Sequence, residues 1–140
     1  MIRLATVEEL AHIENDPVRP HISLDWRLRQ GREVYVLTQQ DKIAACICVA
    51  YTTEVPTNES DLDFVGDEVA VFYTVWSYQK GAGRELVNGV TDLIKHQRQW
   101  VKRFVTLSPL TDMARNFHIS NGATFLAKHS DCQNFEYIVC

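Results

Sequence analysis

Residues 73–86 of this chain are Tyr73-Thr74-Val75-Trp76-Ser77-Tyr78-Gln79-Lys80-Gly81-Ala82-Gly83-Arg84-Glu85-Leu86. They lead from an apolar strand pattern through two glycines into an amphipathic helix pattern. Glycine at positions 81 and 83 allows the backbone to approach a ligand closely. The unpaired N–H groups of the first helical turn, with the positive end of the helix dipole, favour an anion at the same point. The stretch therefore predicts a phosphate-binding turn between a strand and a helix.

The composition is that of a globular protein. The chain has 140 residues, of which 46% are hydrophobic and 23% charged, and we expect a single domain over residues 1–140. The net charge of -4 and the lack of a basic stripe disfavour nucleic-acid binding. The longest apolar run, residues 43–51, is shorter than the ~20 residues that span a bilayer, and the charged N-terminus does not fit a signal peptide. We therefore expect a cytoplasmic protein that binds neither nucleic acid nor membranes.

The four cysteines do not have the spacing of a metal site. Cys46 and Cys48 lie in an apolar run with the pattern of a strand, where residues two apart share a face and cannot surround one ion without a turn. Cys132 and Cys140 have no recognisable ligand spacing either. We expect Cys46 and Cys48 to be buried thiols in the core, and we expect no metal.

Periodicity and turn signals predict strands and helices along the whole chain. Strands are predicted over residues 2–5, 33–38, 42–52, 68–75, 103–107, 124–127 and 134–139. Helices are predicted from the capping box at Thr6 through Ile13, over residues 21–30, behind the glycine turn with apolar positions from Leu86 to Val101, and from the cap at Thr111 to Asn121-Gly122. The segment over residues 54–66 is predicted to be a polar loop.

Three kinds of phosphate-binding sequence compete for the glycine turn. A dinucleotide-binding fold needs a third small residue where Leu86 stands, and an acidic partner for the ribose is missing after the next strand. A nucleotide P-loop needs four residues between its glycines followed by Lys-Ser/Thr, which is absent. The pattern Arg/Gln-x-x-Gly-x-Gly/Ala fits residues 78–83 at every position except the first, where Tyr78 stands.

The order of the predicted elements and a second motif resemble the GNAT superfamily of N-acetyltransferases, including its small phage-encoded members. Members carry Asn-x-x-Ala-x-x-aliphatic-Tyr-x-x-x-Gly-Phe after the fifth strand, and residues 111–123 of this chain align with that pattern. Ala114, Phe117 and Gly122 match it, Thr111 replaces Asn, Ala123 replaces Phe, and His118 stands in the Tyr position. The resemblance covers the whole chain. It implies an α/β (α+β) protein with the GNAT-like acyl-CoA N-acyltransferase fold, in which helices flank a central mixed, mainly antiparallel sheet.

The resemblance also implies a ligand and a reaction. Acetyl-CoA would be the acyl donor, and the amine acceptor would attack its thioester directly, without a covalent enzyme intermediate. The residues expected to bind acetyl-CoA are Tyr73, Thr74, Val75, Tyr78, Gln79, Lys80, Gly81, Ala82, Gly83 and Arg84. A backbone N–H near Tyr73 or Thr74 would stabilise the oxyanion. His118 would give a proton to the leaving thiolate.

Less specific interpretations of the same residues remain open. Gly81 and Gly83 also suit a tight turn without a ligand, and Lys80 and Arg84 also suit a solvated surface. His118 also suits simple packing. Two function classes therefore follow: an acetyl-CoA-dependent N-acetyltransferase, and a non-catalytic structural or interaction protein with the same fold. A homodimer is compatible with the exposed strands.

Acidic residues suggest a general base and an acceptor class. Glu68, next to Asp67 at the start of the central strand, is the candidate base, although a strand-end charge is the simpler interpretation. No Lys or Arg occurs between Lys42 and Lys80, whereas this interval holds Glu54, Glu59, Asp61, Asp63, Asp67 and Glu68. Such a surface favours a cationic amine, for example a protein lysine, a polyamine or an aminoglycoside. A merely solvated acidic loop is the alternative.

Overall fold

The computed structural model describes residues 1–6, 8–9 and 16–138. Its strands are β1 (Ile2–Leu4), β2 (Arg32–Gln39), β3 (Lys42–Thr52), β4 (Val69–Ser77), β5 (Arg103–Thr106), β6 (Ser108–Pro109), β7 (Thr124–Lys128) and β8 (Cys132–Tyr137). Its helices are α1 (Leu24–Arg27), α2 (Ala82–Gln97), α3 (Asp112–Ser120) and a 3-10 helix (Glu59–Asp63). Most of the helix predicted from Thr6 to Ile13 lies outside the described residues, as do Val139 and Cys140.

The eight strands form one mixed sheet. Its order is β1-β2-β3-β4-β5-β8-β6, and β7 pairs with β8 off this path. The pairing is antiparallel except between β4 and β5, which run parallel. The prediction of a mixed, mainly antiparallel sheet with flanking helices is therefore confirmed.

Both faces of the central strands are buried. On one face, the apolar stripe of α2, which includes Leu86, Val90 and Ile94, packs against the sheet. On the other face, a second cluster contains Tyr73 and is covered by the segment around α1. Cys46 and Cys48 belong to this second cluster and are free and buried, as predicted.

Local signals predicted several elements correctly. The β2–β3 hairpin turns through Gln40 and Asp41, both at positive φ, which is typical of a tight hairpin. Thr111 caps α3, because its hydroxyl accepts a hydrogen bond from the Ala114 N–H at 3.2 Å. Gly122, at φ 96, follows the end of the helix, as expected of a glycine C-cap.

Three predicted elements have other bounds in the structure. The helix predicted over residues 21–30 is only the four-residue α1, because Ser23 caps its start by accepting from the Trp26 N–H and the backbone leaves the helical conformation at Leu28. The strand predicted over residues 103–107 ends at Thr106, and β6 then pairs with β8 rather than continuing beside β4. The apolar pattern also extended the helix after the glycine turn too far, because α2 ends at Gln97. No helix within the described ranges is long and apolar enough to cross a membrane.

Candidate functional site

The sheet opens where β4 and β5 separate. The two strands are paired only as far as Phe72 and Thr106, and the Leu107 N–H donates to the Phe72 carbonyl at 3.0 Å as the last rung. Beyond this point β4 continues to Ser77 with β3 as its pairing partner. The segment that follows β5 turns away from β4, and its strand β6 pairs with β8. The edge of β4 after Phe72 therefore borders a gap in the sheet.

A β-bulge lies at the apex of this opening. Cys48 pairs with Thr74 and Val49 pairs with Phe72, so Tyr73 is the extra residue of β4. The bulge breaks the usual alternation, and both Tyr73 and Thr74 therefore point to the face that carries α1. Bulges re-aim side chains and backbone groups and are frequent beside active sites. The bulge thus turns two consecutive residues towards one side of the gap.

The glycine turn leaves the start of α2 without a side-chain cap. Gly81 is the N-cap residue at φ 84, a left-handed conformation that side chains disfavour, although a Cβ there would meet nothing within 4 Å. At Gly83 a Cβ would make an ordinary van der Waals contact, 3.4 Å from the Phe117 ring of α3. The first glycine therefore serves backbone conformation, and the second lies in the packing between α2 and α3.

The first turn of α2 presents N–H groups to the end of the gap. The Tyr78 N–H donates to the Ala44 carbonyl at 2.8 Å, and the Ala82 N–H donates to the Gln79 carbonyl at 3.1 Å, so these two are used within the protein. The N–H groups of Gly83 and Arg84 lie in the first helical turn, where a helix offers no acceptor of its own. These donors and the dipole of a 16-residue helix favour an anion.

The side chains at the turn have separate roles. Arg84 donates to the Asn121 side chain at 3.0 Å and to the Ser120 carbonyl at 2.6 Å, so its guanidinium group holds the end of α3. Gln79 and Lys80 are exposed. Arg84 is exposed as well, but its guanidinium group is held by α3, so Lys80 is the candidate to contact an anion from the solvent side.

His118 lies in the core beside the opening. It is 6% exposed, its ring stacks on Phe135 at 5.5 Å between ring centres, and its Nδ1 hydrogen-bonds with the Tyr137 hydroxyl at 2.7 Å. Burial lowers the pKa of His118 to about 4, so the imidazole is neutral at pH 7. Its role as a proton donor stays a prediction, and its surroundings are those of a packed side chain.

Glu68 lies far from the glycine turn. It is exposed just before β4, its N–H donates to the Thr52 carbonyl at 3.2 Å, and its carbonyl accepts from the Lys102 N–H at 2.8 Å. At about 3.3 Å per residue of extended chain, Glu68 lies about 16 Å along the strand from Tyr73. The fold does not bring Glu68 to the bulge, and its role as a base stays a prediction.

A buried polar network spans the opening on the α1 face. Asp16 accepts from the Thr74 hydroxyl on β4 at 2.9 Å and from Arg27 at 2.8 Å. Arg19 donates from Nη2 to the carbonyl of Leu107, across the gap, at 2.7 Å. The segment over residues 16–19 therefore bridges the two separating strands. Burial raises the pKa of Asp16, but the hydrogen bonds from the Arg19 N–H and the Arg27 guanidinium outweigh it and lower this pKa overall.

The local sequence pattern does not predict this network, because nothing within a few residues of Asp16, Arg19 or Arg27 indicates that these three charged side chains are buried. One signal could have predicted the network. The three charged residues lie on a segment that covers an apolar face of the sheet, where charged side chains must pair with one another.

A surface pocket of about 390 Å³ lies on the same face, and His21, Trp26, Glu59 and Asp63 line it. Glu59 hydrogen-bonds with His21 at 2.8 Å, and Asp63 accepts from the Trp26 indole N–H at 2.7 Å. The Trp26 ring packs edge-on against Tyr73 with 5.5 Å between ring centres. The Trp26 ring therefore lies between the pocket and the bulge, and two of the acidic residues noted in the sequence form part of the pocket wall.

Comparisons with known proteins identify the fold. No protein-family model matches the chain, and no curated protein matches it. The crystal structure of the ribosomal-protein-S18-alanine N-acetyltransferase from Escherichia coli matches with a TM-score of 0.70 at 17% identity, over 97% of this chain and 91% of that chain. The GNAT domain of S. lividans PAT matches with a TM-score of 0.70 at 13% identity, over 97% of this chain and 88% of that chain.

A larger enzyme contains the same fold as one part. Malonyl-CoA decarboxylase from Agrobacterium vitis matches with a TM-score of 0.69 at 22% identity, over 84% of this chain. The chain spans only 35% of the length of that enzyme. At these identities the likeness shows the fold alone. The chain has the GNAT fold, and the resemblance inferred from its motifs is confirmed at that level.

Proposed function

We propose that this protein is an N-acyltransferase that moves an acetyl group from acetyl-CoA to a primary amine. The observation that carries the proposal is the opening beside β4, which ends at the uncapped start of α2. A strand edge with free backbone groups suits an extended amide-containing ligand, and a helix N-terminus suits a phosphate. Acetyl-CoA carries both, in the form of a pantetheine arm and a pyrophosphate.

The turn would hold the pyrophosphate. The N–H groups of Gly83 and Arg84 would donate to phosphate oxygens, and Lys80 would add a positive charge from the solvent side. The pantetheine arm would lie along β4 from Ser77 towards Thr74, where its amides would pair with the open strand edge. This direction brings the thioester to the bulge at Tyr73.

The chemistry would take place at the apex of the opening. The amine would attack the thioester carbon, the C–N bond would form and the C–S bond would break. A backbone N–H of the bulge, at Tyr73 or Thr74, would stabilise the negative charge on the carbonyl oxygen. The leaving thiolate needs a proton, for which His118 is the proposed donor. Because its pKa is lowered, this role would operate only under acidic conditions.

A second candidate is a non-catalytic structural or interaction protein with the same fold. The surroundings of His118 favour this non-catalytic function. His118 occupies the position of the family's proton-donating tyrosine, but its ring is packed among aromatic rings. Such a protein would keep the sheet opening without turning over acetyl-CoA.

A charge reversal at the turn tests the proposal. In a thermal-shift titration, acetyl-CoA should raise the melting temperature of the wild type with increasing concentration, because it binds only the folded state. Lys80→Glu should weaken this binding about tenfold by placing a negative charge beside the pyrophosphate. Lys102→Glu makes the same charge change at the far end of β4 and should bind like the wild type. Equal binding by both variants, or no shift for the wild type at millimolar acetyl-CoA, would reject the proposal.

A further inference from the structure

Arg19 is a buried cation with unused donors. It is 7% exposed, and its Nε has no hydrogen-bond partner within residues 1–6, 8–9 and 16–138. Among the described residues its guanidinium group makes one hydrogen bond, from Nη2 to the Leu107 carbonyl at 2.7 Å. A guanidinium group carries five N–H donors, and leaving such donors unpaired in a protein interior is unfavourable. The unused N–H groups of Arg19 are therefore available to a hydrogen-bond acceptor on a ligand.

A second orphaned polar group lies beside the same rung of the sheet. Among the described residues the buried Tyr73 hydroxyl makes no hydrogen bond of good geometry, and the Cys48 thiol lies beside it. Tyr73 follows Phe72, whose carbonyl accepts from the Leu107 N–H, and Leu107 is the residue that Arg19 holds. Tyr73 and Leu107 also belong to the same buried cluster. Two unsatisfied donors therefore flank the apex of the opening.

The pocket on this face lies one side chain away from each donor. Trp26, in the pocket wall, packs on the Tyr73 ring, and Glu59, also in the wall, is the ion-pair partner of the Arg19 Nε. The distance from Glu59 Oε1 to Arg19 Nε is 3.6 Å, too long for a hydrogen bond, and Glu59 is bound on its outer side by His21. Glu59 thus leaves the Arg19 Nε–H unsatisfied. A closer carboxylate would form the bond that Glu59 does not.

We propose that Arg19, with the Tyr73 hydroxyl beside it, is a subsite for a carboxylate of the substrate, so that the acceptor is a small amine that also carries a carboxylate. Arginine is the side chain best suited to a carboxylate, because its planar fork matches two oxygen atoms. The proposal rests on the proposed function, since that function places the thioester at the same apex. A carboxylate on the acyl group of a CoA thioester has the same chemistry, and the test separates the two sources.

The test compares matched ligands by thermal shift on the full chain. The acceptor arm uses L-amino acids and their carboxamides without CoA, and the donor arm uses succinyl-CoA and acetyl-CoA. In one of the two arms, the ligand with the carboxylate should bind about tenfold more tightly than its partner without it. A preference for the amino acid assigns the carboxylate to the amine substrate, and a preference for succinyl-CoA assigns it to the acyl group. Equal binding of both members in both arms overturns the proposal.

Two variants link the preference to the site. Arg19→Lys keeps the charge but loses the planar fork, and should remove most of the carboxylate preference. Tyr73→Phe removes a hydroxyl that makes no hydrogen bond of good geometry among the described residues, so it should leave the melting temperature of the free protein unchanged or higher and still weaken carboxylate binding about threefold. Arg29→Lys, exposed and on the same segment, should bind like the wild type. A preference that both folded site variants retain would overturn the proposal.

The outcome separates this inference from the proposed function. A melting-temperature rise with acetyl-CoA, without any carboxylate preference, would retain the acyltransferase and reject the subsite. A carboxylate preference that is lost in Arg19→Lys, without any response to acetyl-CoA, would retain the subsite and reject the acyltransferase.

Discussion

Acidification should destabilise the protein through one buried side chain, His118. Its pKa in the folded protein is about 4 because of burial, against an ordinary value of 6.5 in the unfolded chain. Between these two values the unfolded state binds a proton that the folded state excludes, so the free energy of unfolding falls as the pH falls from 6.5 to 4. The two pKa values differ by about 2.5, and at about 1.4 kcal/mol per pKa unit the loss is about 3 kcal/mol.

The variant His118→Asn should remove this part of the pH dependence. Asparagine does not titrate, and its side-chain oxygen can accept from the Tyr137 hydroxyl, which His118 Nδ1 now contacts at 2.7 Å. Urea unfolding at pH 7 and pH 4 measures the two free energies for each protein. The wild type should lose about 3 kcal/mol more than His118→Asn between these pH values.

A matched control separates this effect from general acid unfolding. His96 is exposed on α2, and His96→Asn should keep the wild-type pH dependence. If His118→Asn and the wild type lose the same free energy, then His118 is not buried as a neutral imidazole and the reasoning fails. The same variant tests catalysis. The protonated fraction of His118 rises towards pH 4 while the unprotonated amine becomes scarcer, so a proton-donating His118 requires wild-type turnover to fall less steeply with decreasing pH than turnover of His118→Asn.

Two further substitutions should separate fold from function. Arg27→Met leaves the buried carboxylate of Asp16 without its ion-pair partner and should cost about 3–5 kcal/mol in urea unfolding, whereas the exposed Arg29→Met should cost less than about 1 kcal/mol; similar costs would show that the Asp16 pair is solvated. Gly81→Ala should cost about 1–2 kcal/mol because of its φ of 84 and should also weaken acetyl-CoA binding, while unchanged stability would show that the turn relaxes to another conformation.

Local sequence signals predicted the elements that form the glycine turn and its surroundings. The hairpin, the helix after Gly81 and the cap at Thr111 all follow from patterns within a few residues. The opening does not follow from local patterns. It forms because the chain after Thr106 pairs with β8 instead of β4, and β8 is distant in the sequence. The sequence therefore indicated the glycine turn but not the gap beside it.

Side-chain contacts depend on residues that are remote in the sequence. The Arg84 guanidinium group binds the end of α3, which the local pattern does not indicate, since that end is adjacent only in the folded state. The burial of His118 depends on β8, which supplies Phe135 and Tyr137 from far along the chain. Arg19 faces inward because the segment over residues 16–19 crosses the opening. In each case the decisive neighbour is remote in sequence.

The most direct test of the account is an NMR titration of the ¹⁵N-labelled protein with acetyl-CoA. The backbone N–H signals of Gly83 and Arg84 at the start of α2, and of Val75 on the open edge of β4, should shift together and saturate at one ligand concentration. The signal of Lys102, at the far end of the sheet, should stay in place. Saturable binding that leaves the Gly83, Arg84 and Val75 signals unmoved would contradict the assignment of the opening as the acyl-CoA site.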